Sequence, residues 1–334
     1  MGAWDADPSD PGSALFQSYF DRHFRIFCYL AIRPLHNLRG TLAVSETSIP
    51  VDIVEPTQYP QGISGRMHLQ INWNCNYTCS YCFQNGKRAN QPRLESLQGW
   101  REAFLSLTPP WKILITGGEP LLNKNAEELA EIISSCGHYI HLITNLSLPE
   151  RNISNFINHA GVGLRIISAS WHPEHISLSS FITKAKNVKN LMPGSSKFIA
   201  SYVYTGDNTE LEKIAFLAKE HQIPFQIRLM RKNDVTDRKV EETLAETAQS
   251  PWLSYRKTRS WFGHHCSAGK DYFVVDGTGH IYRCFSDLDT GKAPIGNFLK
   301  GDLKMSKSIC LHRSECCMIG LEFPSRSDER KLIS

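Results

Sequence analysis

From residue 67 to residue 229 six short apolar runs rich in β-branched residues alternate with the stretches of helical periodicity between them. No other feature limits the fold as strongly. Residues 67–73, 112–116, 140–144, 164–170, 198–204 and 225–229 read as strands. Residues 94–105, 124–136, 150–159, 178–191 and 209–221 read as the helices between them. A regular strand–helix alternation implies a parallel sheet, and right-handed crossovers curl it toward a partial (β/α)6 barrel of the TIM type. In such folds reactive groups collect beyond the carboxyl ends of the strands.

Around this core the chain changes character. Residues 1–66 are irregular, with Asp7-Pro8-Ser9-Asp10-Pro11-Gly12 as a flexible start and Pro56, Pro60, Gly62 and Gly65 as a linker. Residues 232–262 are charged and read as a connecting helical segment. Residues 263–334 form a small α+β module with a hairpin turning at Asp276-Gly277-Thr278-Gly279. The 334 residues carry a net charge of +4 without a basic tract, which does not indicate nucleic-acid binding. No apolar run reaches membrane-spanning length and the start is acidic, so a soluble cytoplasmic protein is expected.

The 10 cysteines fall into groups. Cys28 and Cys136 stand alone and read as small core residues. In Cys75-Asn76-Tyr77-Thr78-Cys79-Ser80-Tyr81-Cys82, three thiols follow the first strand. Thiolates are soft ligands suited to iron–sulfur clusters, zinc or copper. A closed structural zinc site takes four ligands, and no fourth Cys or His stands at the usual spacing. Three thiolates on a four-iron cube would leave one iron open to a chelating ligand. After the next strand comes Thr116-Gly117-Gly118-Glu119-Pro120, where glycines let the backbone approach a ligand and a carboxylate can accept from an ammonium group.

The spacing Cys-x3-Cys-x-aromatic-Cys, with Tyr81 in the aromatic position, resembles the radical S-adenosylmethionine (SAM) superfamily. The resemblance implies a [4Fe–4S] cluster on Cys75, Cys79 and Cys82 and cofactor contacts from Tyr81, Gly117, Gly118 and Glu119, with Glu119 helping to fix the methionyl amine. Thr144-Asn145 resembles the family's Thr-Asn-Gly, with Leu146 in place of Gly. Ser168, Ser170, Arg165 and Arg228 are candidates for the ribose or the methionyl carboxylate. His172 and His175, in Trp171-His172-Pro173-Glu174-His175, are candidates for acid–base work on substrate or for a metal pair, or are ordinary loop residues. The resemblance also implies a low-potential electron donor such as flavodoxin or ferredoxin.

The second group holds Cys266, Cys284, Cys310, Cys316 and Cys317 around the hairpin, with Gly296-Asn297 between. This order resembles the auxiliary-cluster modules called SPASM or, when shortened, twitch. One further cluster on Cys266, Cys284, Cys310 and Cys316, or Cys317 in its place, is the expectation; structural zinc on the same thiolates is the alternative. Enzymes of this layout modify peptides or small natural products oxidatively. A non-catalytic zinc protein and a cluster-bearing redox sensor are the competing classes.

Overall fold

A computed structural model of the chain describes residues 62–82, 84, 91–204, 208–229, 253–255, 263, 265–266, 268–302, 308–310 and 312, all within the unit Asp52–Ser334. Cys28, Cys316 and Cys317 lie outside the described residues.

The expected alternation is present. In chain order it runs β1 (Gly65–Gln70), α1 (Trp100–Leu105), β2 (Trp111–Thr116), α2 (Ala126–Ser135), β3 (Tyr139–Thr144), α3 (Glu150–Ala160), β4 (Leu164–Trp171), α4 (Leu178–Leu191), β5 (Lys197–Tyr204), α5 (Asn208–His221) and β6 (Phe225–Leu229). β1 to β6 pair in sequence, all parallel. The helices bury faces spaced at three and four residues, as Ile153, Phe156, Ile157 and Ala160 do on α3 and Leu178, Phe181, Ile182 and Ala185 on α4. β2 is buried along its whole length, as expected for a parallel strand covered on both faces. Cys136 is buried in this core. No helix among the described residues is long and apolar enough to cross a membrane.

Four strands, one at one end and three at the other, extend the sheet beyond the expected six. β7 (Leu253–Tyr255) pairs parallel with β6. It lies inside the segment read above as a connecting helix, so that reading is corrected there. Three residues are too few to show a strand period, and the charged and polar residues on either side mask the aromatic and apolar Trp252, Leu253 and Tyr255. The hairpin β9 (Tyr272–Asp276) and β10 (His280–Tyr282) forms as expected, and β9 adds in parallel to the free edge of β1, with His68 opposite Val274. The sheet order is β11-β10-β9-β1-β2-β3-β4-β5-β6-β7, with β11 (Gly296–Asn297) at one edge. β8 (His265–Cys266) and β12 (Ser308–Ile309) form a separate pair, and α6 (Phe285–Asp289) follows β10.

The hairpin turn is seated against the stretch before α1. A Cβ on Gly277 would lie 2.2 Å from Leu94 N and 2.4 Å from the Arg93 carbonyl carbon, so only glycine fits. Gly277→Ala is expected to destabilise the protein by about 1–3 kcal/mol through overpacking. Gly194→Ala, whose Cβ meets nothing within 4 Å, stays within about 0.5 kcal/mol of the parent. Urea unfolding of both variants checks the difference.

Candidate active site

The carboxyl ends of β1, β2, β3 and β4 carry, in order, the cysteine loop, the Gly-Gly-Glu-Pro turn, Thr144-Asn145 and the Trp171–His175 segment. Parallel pairing puts all four on one edge of the sheet. In the cysteine loop Cys79 is buried, Cys75 and Cys82 are half-buried, and none is in a disulfide. Burial pushes the Cys79 thiol up to about 11, a hydrogen bond with Tyr81 partly offsets this, and the nearby Cys82 and Cys75 add to it. Three thiols that feel one another's charge, free of disulfides and only part-covered, suit a cluster held by three protein ligands. Binding would displace their protons.

The Gly-Gly-Glu-Pro turn is locked to the tail of β1. Gly118 N–H donates to both the backbone and the side-chain oxygen of Asn72 at 3.2 Å, Asn72 Nδ2 donates to Glu119 O at 3.0 Å, and Glu119 N–H donates to Asn74 O at 2.7 Å. A Cβ on Gly117 would sit 2.5 Å from Asn72 Oδ1, and one on Gly118 2.2 Å from Asn74 O. Here the glycines are required by strand-end packing. Asn72 was not singled out from sequence, because a lone Asn after a strand carries no pattern.

Glu119 is fully buried. Its carboxylate accepts from Thr144 Oγ1 at 2.9 Å, from Asn145 N–H at 2.7 Å and from Leu121 N–H at 3.2 Å. Burial pushes its pKa up to about 7 despite these three bonds. Asn145 in turn donates to Cys75 Sγ at 3.7 Å and to Asn76 Oδ1 at 3.2 Å. Glu119, Thr144 and Asn145 are thus brought together against the cysteine loop. Leu146, at the position where the family pattern has glycine, takes a left-handed φ of 53° with its side chain fully buried. Left-handed strain of about 1–2 kcal/mol is offset by burying the leucine.

Other expected residues are bonded to neighbours on the sheet. Ser168 Oγ bonds His141 Nε2 at 2.7 Å, and Ser170 Oγ bonds Ser201 Oγ at 3.0 Å. Arg228 Nε donates to Gln226 Oε1 at 3.3 Å on β6. Arg165 lies at the amino end of β4, over the Tyr139 ring at 4.6 Å. That is the edge opposite the cysteine loop, so the structure does not bring it to the site.

His172 and His175 are both turned onto the cysteine loop. His172 Nδ1 lies 3.3 Å from Cys79 Sγ and 2.9 Å from the Tyr81 hydroxyl, and burial, with His175 nearby, pushes its pKa down to about 4. His175 stacks on Tyr77 at 4.3 Å and its Nε2 accepts from Thr78 N–H at 3.2 Å. A cleft of about 890 Å³ opens beside Asn74 and is lined by Arg93, Glu95, Gln98, Gly277 and Thr278 among others.

In the C-terminal group, Cys266 and Cys284 pack against one apolar cluster containing Trp73, Tyr272, Val274 and Phe285. Burial, then the Asp287 charge, pushes the Cys284 thiol up to about 12, and Cys266 adds to the shift. Cys310 directly follows β12, which pairs with β8 opposite Cys266. A Cys284, Asp287 and His312 ligand atom each lie within 4.8 Å of the others, a set able to hold a metal. Asp287 also binds Lys292 at 2.7 Å and His312 at 2.8 Å. Asp287 and His312 were missed from sequence; Cys310-x-His312 was the available signal.

Glu119→Gln leaves one buried donor facing an amide nitrogen that cannot accept, and is expected to cost about 1–3 kcal/mol. The raised pKa means that the folded chain holds the Glu119 proton more tightly than the unfolded chain between about pH 4.5 and pH 7. Wild-type stability from this group therefore falls as pH rises through that window. The gap between wild type and variant is expected to be larger at about pH 5 than at about pH 8, as read by denaturant unfolding of metal-free protein; a gap that widens with pH contradicts the account.

The family model for the radical SAM superfamily matches residues 73–246. GTP 3′,8-cyclase of Haemophilus ducreyi is 29% identical over 176 residues, 49% of this chain and 52% of that protein. The probable GTP 3′,8-cyclase of Pyrobaculum aerophilum is 27% identical over 172 residues, 46% of this chain and 53% of that protein. The chain spans about half the length of these curated relatives. Among solved structures, Streptococcus suis SuiB bound to precursor peptide SuiA matches with a TM-score of 0.54 at 13% identity, over 87% of this chain and 77% of that one. Native anSMEcpe with bound AdoMet and a Kp18Cys peptide matches with a TM-score of 0.53 at 16% identity, over 72% and 78%. At these identities the likeness is one of fold. The matched family span takes in more than half of the chain, including the three clustered thiols and the Gly-Gly-Glu-Pro turn, and the chain belongs to the radical SAM superfamily, whose enzymes use a [4Fe–4S] cluster and S-adenosylmethionine.

Proposed function

We propose that this chain is an oxidative maturase or dehydrogenase acting on a peptide or a small natural product. The observation that carries this reading is the set of three disulfide-free thiols, Cys75, Cys79 and Cys82, at the carboxyl end of β1 and braced by Asn145. Those thiols would hold the [4Fe–4S] cluster. When bound, the cluster supplies the electron that splits S-adenosylmethionine into methionine and a 5′-deoxyadenosyl radical, which takes a hydrogen atom from the substrate. Gly117 and Gly118 would offer backbone to the methionyl group, with Thr144, Asn145, Ser168 and Arg228 as the polar rim and Tyr81 as the aromatic wall. Glu119 would act on the amine through the turn that it holds.

A second cluster on Cys266, Cys284, Cys310 and Cys316 or Cys317 belongs to this reading, in a SPASM- or twitch-like module over residues 263–334. It would take up the substrate electron or anchor the substrate. Flavodoxin or ferredoxin would be the reductant. The peptide route draws on the bound peptides of SuiB and anSMEcpe, on the open cleft beside Asn74 and on residues 1–66, which would recognise a leader segment. GTP, the substrate named for the curated relatives, is the control.

Anaerobically purified protein is expected to be brown, with roughly seven to eight irons when both clusters form and roughly four with the first alone. With dithionite and S-adenosylmethionine it forms 5′-deoxyadenosine, and Cys79→Ala forms none. Colourless protein with stoichiometric zinc and no iron overturns the reading; so does iron-loaded protein that forms no 5′-deoxyadenosine. Removal of residues 1–61, which leaves β1 whole, is expected to abolish turnover of a peptide substrate, and unchanged turnover ends the leader-recognition role.

A further inference from the structure

We propose that the loop between β4 and α4, through Glu174 with His172 and His175, is a clamp that sets the conformation of the cysteine loop. The proposal rests on the reading of Cys75, Cys79 and Cys82 as cluster ligands. Within the cysteine loop the backbone is tied to itself by Cys82 N–H to Cys79 O at 3.1 Å and by Tyr77 N–H to Cys75 Sγ at 3.4 Å. Two amides between the first and third cysteines, those of Thr78 and Ser80, are bonded from outside the loop. Thr78 N–H donates to His175 Nε2 at 3.2 Å, and Ser80 N–H donates to Glu174 Oε2 at 2.8 Å. The Ser80 hydroxyl donates to the other oxygen of the same carboxylate.

Two parallel bonds from one residue to one carboxylate fix orientation as well as position. The rings of His172 and His175 close over Tyr77 and Tyr81 between these points. The clamp itself is anchored. Trp171, buried at the end of β4, donates from Nε1 to Ile176 O at 2.9 Å, and the amides of His175 and Ile176 both donate to His172 O. A short, self-bonded turn on a rigid strand thus grips the stretch that carries Cys79.

The side chains on this loop are accordingly positioning residues, and of the roles open to the two histidines (acid–base work, a metal pair or loop packing) holding the cluster loop is the one proposed. The Glu174 carboxylate is held ionised by the Ser80 bonds, and its charge is felt at Cys79. A cluster on this loop would therefore sit beside a fixed negative charge. Glu174→Ala removes both bonds; Glu174→Gln keeps the shape and one acceptor but removes the charge.

The test compares wild type, Glu174→Ala and Glu174→Gln after anaerobic loading with iron and sulfide. Three quantities are read: iron loss to a chelator, the paramagnetic resonance spectrum of the reduced cluster, and the melting temperature of metal-free protein. Glu174→Ala is expected to lose iron at least roughly tenfold faster and to show altered g-values, with an unchanged metal-free melting temperature. Glu174→Gln is expected to lose iron at an intermediate rate and to be reduced at a higher potential than wild type. Iron loss at the wild-type rate with an unchanged spectrum in Glu174→Ala overturns the clamp. If that variant does not fold, wild-type iron loss and potential in Glu174→Gln overturn it equally. A wild-type protein that binds no four-iron cluster overturns the ligand reading instead, and the two failures are distinct.

Discussion

Glu119 joins the ends of three strands, through its carboxylate and its backbone, and the geometry of the site depends on it. Its oxygens collect hydrogen bonds from Thr144 and Asn145 at the end of β3 and from Leu121 in its own turn. Its backbone is bonded to Asn72 and Asn74 beyond β1. A buried carboxylate is costly unless its lone pairs are occupied, and here three donors converge on it. The pKa still rises to about 7, so burial outweighs the bonds and the charge is tolerated for what it positions. Asn145, oriented by Glu119, reaches Cys75. The thiols are thereby tied to the sheet from the β3 side, as the β4 loop ties them through Ser80 and Thr78.

The second cysteine group is joined to the first through the sheet. β9 lies along β1, and Trp73, two residues before Cys75, belongs to the apolar cluster on which Cys266 and Cys284 pack. Burial raises the Cys79 and Cys284 thiols above the ordinary thiol range in the metal-free chain. Ligand assembly at either place is therefore coupled to proton release.

The strand–helix alternation was legible because each element carries its own period, and the boundaries of β6 and α4 agree with it residue for residue. The Cys-x3-Cys-x-aromatic-Cys spacing and the Gly-Gly-Glu-Pro turn were legible because ligand chemistry and close approach demand particular residue types. What stayed hidden is non-local. Nothing near residues 272–276 says that this strand will lie on β1, and β7 is too short to show a period within a charged segment. Asn72 and Glu174 act through partners tens of residues away. Leu146 departs from the glycine pattern without departing from the glycine backbone, which shows only in its φ of 53°.

On the proposed reading, three protein thiolates at the end of β1 hold a four-iron cluster with one iron left for S-adenosylmethionine. Mössbauer spectroscopy of iron-57-loaded protein tests it most directly. Addition of S-adenosylmethionine is expected to shift the spectrum of roughly one iron in four of that cluster and to leave the rest unchanged. A cluster whose irons are all unaffected by S-adenosylmethionine, or protein that takes up zinc in place of iron, contradicts it.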